Sequence, residues 1–264
     1  MKEGYWVIRT YESGNVGEKI KFFVPGERRS GRSRRREKEE LRKQAQNEYS
    51  AVKQLARLIN ANFGAGDILL GLDYTDEGLG KLFERAKEEL TDDAEEAEIF
   101  NRVREAADRE MKLCIRRSKR ELEKSGVDIR YIALTSDMDG DTGEAVRVHH
   151  HLIVPADALE AFVAKWRLGG VSWSPLWIQS DYTPLAEYLL RQVRRLPDAK
   201  KYVSSRNLIR PAPRDRVVHS DSELRVPRGG KILFRNEYKP GRAQYIRYTI
   251  PISQSINIEE EYIS

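Results

Sequence analysis

Three consecutive histidines, His149, His150 and His151, sit inside an apolar run that reads as a strand over Ala145–Val154. Side chains alternate across a strand, so His149 and His151 project from one face, two residues apart. That spacing suits two imidazoles binding one divalent cation. His150 shares the other face with Val148, Leu152 and Val154, the core side, where a leucine should replace it with mild effect. Three imidazoles in an apolar strand without a partner would be costly to bury. The run is neither terminal nor long enough for a purification tag. Two histidines rarely complete a metal site, and Asp137, Asp139, Asp141 and Glu144 on the preceding hairpin are available as an acidic third ligand.

A second group suited to chemistry is Tyr188. Thr183 and Pro184 mark a helix start, and along that helix Tyr188, Arg191 and Arg195 recur at i, i+3 and i+7 on one flank. Leu185, Leu189, Gln192 and Leu196 form a separate stripe expected to pack down. A phenol can take up a phosphoryl group and conserve the bond energy for the reverse transfer. A metal ion would polarise that phosphate, and Arg191 would steady either the phosphate or the developing phenolate. With 12 tyrosines in the chain, only the histidine strand singles this one out. Tyr182, before the helix, and Tyr202, after it, are weaker candidates.

The elements that position these groups follow from periodicity and turn chemistry. Residues 5–10 and 19–24 read as a short strand pair around Gly14 and Gly17. Val52, Leu55, Leu58, Ile59 and Phe63 mark one helix face, stopped by Gly64. Residues 67–74 read as a buried strand. A long amphipathic helix follows, capped by Thr91 with Asp92 and Asp93 at its positive end. Its core stripe is Phe100, Val103, Ala107, Met111, Cys114 and Leu122, and Ser125-Gly126 ends it. Residues 130–135 and 145–154 form a hairpin across the turn-rich segment 137–143. A short helix (Leu159, Phe162, Val163, Trp166), a strand near 176–179 and the Tyr188 helix complete the order. That order predicts an α+β fold, a central antiparallel sheet with helices packed on it. The expected domains are a strand pair with a basic arm (1–44), a catalytic domain (45–200) and a basic extension with short strands (201–264).

The chain has 264 residues and a net charge of only +5, but its arginines cluster. One block holds Arg28, Arg29, Arg32, Arg34, Arg35 and Arg36; another holds Arg191, Arg194, Arg195, Lys200, Lys201, Arg206, Arg210, Arg214 and Arg216. Such clusters suit a polyphosphate partner, because each neutralised phosphate releases counterions; solvated surface is the plain alternative. A single cysteine, Cys114, excludes a disulfide framework and a Cys-rich zinc site. No stretch approaches the ~20 apolar residues that span a bilayer, and the N-terminus does not read as a signal peptide. A cytoplasmic location is expected. His219, in a Pro- and Arg-rich region, is expected to be exposed.

Together the histidine strand and the tyrosine helix resemble the HUH endonuclease superfamily, in particular single-tyrosine rolling-circle replication initiators (Rep proteins) of bacterial phages, plasmids and integrative elements. His150 takes the middle position, commonly aliphatic. Tyr188-Leu189-Leu190-Arg191 stands where the family carries Tyr-x-x-Lys, with Arg191 in place of lysine. Ser204-Ser205-Arg206-Asn207-Leu208 is similar to a further family stretch, and the resemblance covers roughly residues 45–211. It implies a catalytic Tyr188 with Arg191, and Mg2+ or Mn2+ held by His149, His151 and, first among the acidic candidates, Asp137. The arginine clusters add the expectation of DNA contacts from Arg194, Arg195, Arg206, Arg34, Arg35 and Arg36. The partners implied are single-stranded or hairpin origin DNA and a host helicase with its replication machinery, since the chain has no Walker glycine loop. A relaxase or single-strand transposase would share this chemistry. A non-catalytic module of RRM-like build, stacking bases on Trp173 and Trp177, would not.

Overall fold

The computed structural model describes residues 4–25, 36–88, 90, 94–194, 200–236 and 243–251, with the side chains of 36–48 left out. It is an α+β structure with two five-stranded antiparallel sheets. The chain divides into two compact units: residues 1–62, 180–184 and 209–264 form one, and residues 63–179 and 185–208 the other.

In the first unit, β1 (Tyr5–Ser13) and β2 (Val16–Val24) form a hairpin. Gly14, at φ 57°, makes its tight turn, a conformation that favours glycine. The pair does not stand as a separate arm. The late strands complete its sheet in the order β8-β1-β2-β10-β9, with β8 Arg214–Val218, β9 Ile232–Asn236 and β10 Gln244–Thr249. Helix α1 (Arg36–Asn62) buries Leu55, Leu58 and Ile59, the face its periodicity marks. Arg57 of α1 forms a paired hydrogen bond with the buried Glu18 at 2.8 Å for each contact.

The second unit carries the histidine strand. Its sheet runs β6-β3-β5-β4-β7, with β3 Ile68–Leu72, β4 Ile132–Met138, β5 Ala145–Val154, β6 Val171–Pro175 and β7 Val203–Ser204. The strand expected near 176–179 lies earlier, as β6. Leu176 only continues its pairing with β3, and Trp177 and Ile178 are exposed. The β4–β5 hairpin forms as expected, with Gly143 at φ 72° in its loop.

Helices α2 (Asp76–Lys87), α3 (Glu96–Lys124) and α4 (Leu159–Lys165) cover one face of this sheet. The sequence reading has no separate α2; Thr75 caps it by accepting from the Gly78 N–H at 3.1 Å. α3 begins at Glu96, and the expected cap residues Thr91, Asp92 and Asp93 lie outside the described residues. Its stripe from Val103 to Leu122 is buried as expected, whereas Phe100, one turn from the helix start, is 43% exposed. The core there joins Leu70, Leu72, Leu152 and Val154 of the sheet to Met111, Cys114 and Phe162 of the helices. α5 (Thr183–Arg191) carries Tyr188. Among the described residues no helix is long and apolar enough to cross a membrane.

Candidate metal and tyrosine site

Register fixes the direction of the histidines. Thr135 of β4 pairs with His150 and Ser136 with His149, while Gly71 of β3 pairs with His151. Paired residues share a face, so His149 and His151 emerge together and His150 points to the helices. His150 is accordingly fully buried, and its partners are half-buried. Gly71 leaves the strip beside His151 without a side chain, and a Cβ there would collide with Ser172 Oγ of β6.

The two projecting rings meet. His149 Nε2 and His151 Nε2 are 3.2 Å apart, and His151 Nε2 is also 3.2 Å from Gln192 Oε1. His149 Nδ1 stands 3.0 Å from the Arg147 carbonyl, which can only accept, so Nδ1 carries a proton. Burial, then the neighbouring His149, pushes the His151 pKa down to about 4, so this ring is neutral. Burial pushes His150 down to about 3, and it too is neutral.

Gln192 is the residue that sequence reading missed. It belongs to the stripe expected to pack down and is buried, and its place four residues after Tyr188 is the signal that sets it beside that residue. α5 ends at Arg191, and the chain then turns against β4, where the Asp137 and Met138 N–H groups donate to the Gln192 carbonyl at 3.1 Å each. This brings the glutamine side chain to the histidines.

Asp137, the expected third ligand, is engaged elsewhere. Its carboxylate accepts from Arg104 of α3 at 2.6 Å and from the Arg194 N–H at 3.1 Å, and the Arg194 guanidinium is 3.1 Å away. Reaching a metal would break a buried ion pair with Arg104 and a part-exposed one with Arg194, which is costly. Asp139 folds its own loop, accepting from the Asp141 and Thr142 N–H groups at 2.8 Å each. Glu144 is exposed. Among the described residues no cluster of three His, Cys, Asp or Glu side chains could hold a metal; the converging third donor is an amide oxygen.

Those donors fit a cation. Two imidazole nitrogens bound to one ion at about 2.1 Å stand roughly 3 Å apart, close to the observed 3.2 Å. A proton on His151 Nε2 faces two acceptors, His149 Nε2 and Gln192 Oε1, and a divalent cation would take the place of that proton and draw on all three atoms. On the same face, Ser136 buries a hydroxyl with no hydrogen-bond partner among the described residues. Imidazoles suit transition metals and amide oxygens harder ions, so Mn2+ matches this mixed set better than Mg2+.

Tyr188 faces this group. Its ring centroid is 6.1 Å from that of His151, and its side chain is 46% exposed. Ala186, Leu189, Leu190 and Val193 are buried around it, and burying Leu189 alone contributes roughly 2 kcal/mol to holding the helix. Tyr188, Arg191, Gln192 and His149 line one cleft of about 250 Å³ with Asp139 and Asp141. Arg191 is 59% exposed there, 3.9 Å from Asp141. Tyr182 is buried, and Tyr202 half-buried.

The expected DNA-binding arginines divide. Arg194 is half-buried, with its guanidinium 3.1 Å from the Asp137 carboxylate. Arg206 is exposed after β7, which pairs with the Ile132 end of β4, opposite the histidine end. The Ser204–Leu208 stretch is structural here: Ser205 exchanges hydrogen bonds with the Tyr131 backbone at 2.9 and 3.0 Å. Arg34, Arg35 and Arg195 lie outside the described residues, as does the Arg36 side chain. His219 is exposed, as expected.

No family model, no curated protein and no solved structure matches this chain.

Proposed function

We propose that this chain nicks and rejoins single-stranded DNA through Tyr188, as an HUH-type endonuclease acting as a rolling-circle replication initiator. One observation carries the reading: Tyr188 shares a cleft with His149 and Gln192, and both of these meet His151, whose ring lies beside that of Tyr188. A phenol, a cation site and a guanidinium are the parts that phosphodiester transesterification requires.

The chemistry follows from their placement. The Tyr188 hydroxyl gives up its proton to solvent as its oxygen attacks the phosphorus, the bond to the 3′ oxygen breaks, and that oxygen takes up a proton and leaves as a 3′ hydroxyl. The phosphate stays joined to Tyr188 at the 5′ side, and the reverse attack by a 3′ hydroxyl reseals the strand. His149, His151 and Gln192 would hold a divalent cation, which when bound supplies charge stabilisation to the phosphate. Arg191 adds a fixed positive charge at the cleft edge, a role that guanidinium fills as well as lysine. A free 3′ hydroxyl is a primer, which ties this chemistry to initiation of replication on an origin opened by another protein.

The test is covalent capture. Pooled single-stranded oligonucleotides, the full chain and Mn2+ are incubated and resolved by denaturing electrophoresis. The wild type should form an adduct that maps to the Tyr188 segment, and Tyr188→Phe should form none while still binding DNA. An adduct that persists in Tyr188→Phe overturns the assignment. A wild type that binds oligonucleotides but forms no adduct supports the RRM-like binding module instead.

A further inference from the structure

The middle histidine is engaged at both ring nitrogens. His150 Nε2 lies 2.7 Å from the Tyr74 hydroxyl, and Nδ1 lies 2.9 Å from Thr135 Oγ1. The Thr135 hydroxyl in turn donates to the Asp108 carboxylate of α3. That bond uses the only hydroxyl proton of Thr135, so toward His150 it can only accept. The neutral ring therefore donates from Nδ1, and its bare Nε2 accepts from Tyr74. Donation runs in one direction through four residues, from Tyr74 to His150 to Thr135 to Asp108. Each sits on a different segment: the loop after β3, then β5, β4 and α3. Tyr74 and Trp166 also pack edge-on against the imidazole, with ring centroids at 5.5 and 5.7 Å.

We infer that His150 is a positioning residue: its buried hydrogen-bond chain to Tyr74, Thr135 and Asp108 locks β5 so that His149 and His151 present their nitrogens to one cation. The inference rests on the reading of His149, His151 and Gln192 as a cation site. A strand holds its pleat most firmly where a side chain is tied on both sides, and here the tied residue lies between the two donors. An aliphatic residue would fill the volume but leave the Tyr74 hydroxyl and the Thr135–Asp108 pair without their partner. The expectation that His150→Leu is mild is thereby revised.

The experiment is Mn2+ titration of the full chain by calorimetry, with the electron paramagnetic resonance spectrum of the bound ion and thermal unfolding without metal as companion readouts. The wild type should bind one Mn2+. Thr135→Val and Tyr74→Phe should each bind about tenfold more weakly, the usual effect of losing a supporting hydrogen bond around a metal site. His150→Leu should be weaker still, and Thr135→Ser, which restores the hydroxyl, should recover wild-type affinity. A broadened Mn2+ spectrum in Thr135→Val would report donor misalignment that a loss of stability alone does not produce. Unchanged affinity and spectrum in folded Thr135→Val and Tyr74→Phe overturn the inference while leaving the cation site standing. A wild type that takes up no Mn2+ overturns the cation site and this inference with it.

Discussion

His151 Nε2 stands 3.2 Å from the side-chain oxygen of Gln192, which joins the central strand of one sheet to the segment that follows the tyrosine helix. The same glutamine receives two β4 N–H groups on its carbonyl and donates from Nε2 to the Tyr188 carbonyl at 3.3 Å. One residue at the end of α5 thus bonds to His151, to β4 and to the Tyr188 backbone.

Gln192 and Asp137 should fail in different ways. Gln192→Ala should lose Mn2+ affinity, about tenfold or more for a lost ligand or its support, with a small change in melting temperature. Asp137→Asn should leave Mn2+ affinity close to wild type and lose about 3 kcal/mol of stability, because Arg104 and Arg194 keep their charges without a buried counterion. Calorimetry and thermal unfolding on both variants decide. The reverse pattern would restore Asp137 as the ligand.

Arg191 should matter to rate more than to stability. Its contact with Asp141 is 3.9 Å long and exposed on both sides, and such pairs contribute under about 1 kcal/mol. Arg191→Ala should slow adduct formation by about 100-fold, the usual loss when one charge-stabilising donor is removed, at an unchanged melting temperature. Single-turnover adduct kinetics at saturating DNA measure it. Arg191→Lys should recover most of the rate.

Affinity should come from other surfaces. Trp173 is 57% and Trp177 77% exposed, and base stacking on an aromatic ring contributes about 1–3 kcal/mol. Trp173→Ala with Trp177→Ala should weaken oligonucleotide binding while adduct formation at saturating DNA survives. Neutralising Arg32, Arg34, Arg35 and Arg36 should also flatten the salt dependence of binding. Fluorescence anisotropy across a salt series separates the two contributions; an unchanged slope means the arm does not touch phosphate.

Lys53 of α1 gives the first unit a pH signature. Its ammonium stands 3.5 Å from the Tyr245 ring centroid, and burial depresses its pKa to about 8 from 10.5. Its folded value lies below its unfolded one, so the cost of burying the charge is present in full below pH 8. That cost is relieved as the pH rises from about 8 to 10.5, where the unfolded chain holds more protons. Stability should therefore rise with pH across that window, and Lys53→Met should flatten the rise in thermal unfolding.

Alternation along Ala145–Val154 by itself determined that His149 and His151 share a face and that His150 faces the core, because the period of a strand is a local property. Turn residues likewise determined the β4–β5 hairpin, and Thr183-Pro184 the start of α5. Local period says which side a residue faces, but not what meets it there. Only the tertiary structure decided that Gln192 approaches His151, which depends on where the chain turns after Arg191, and that Arg104 and Arg194 pair with the Asp137 carboxylate. It also decided that the first strand pair belongs to a sheet of its own with β8, β9 and β10. Pairing between residues more than 190 positions apart, such as Ile20 with Tyr245, leaves no trace in any local window of sequence, because hydrogen bonding between strands depends on spatial register and not on separation along the chain.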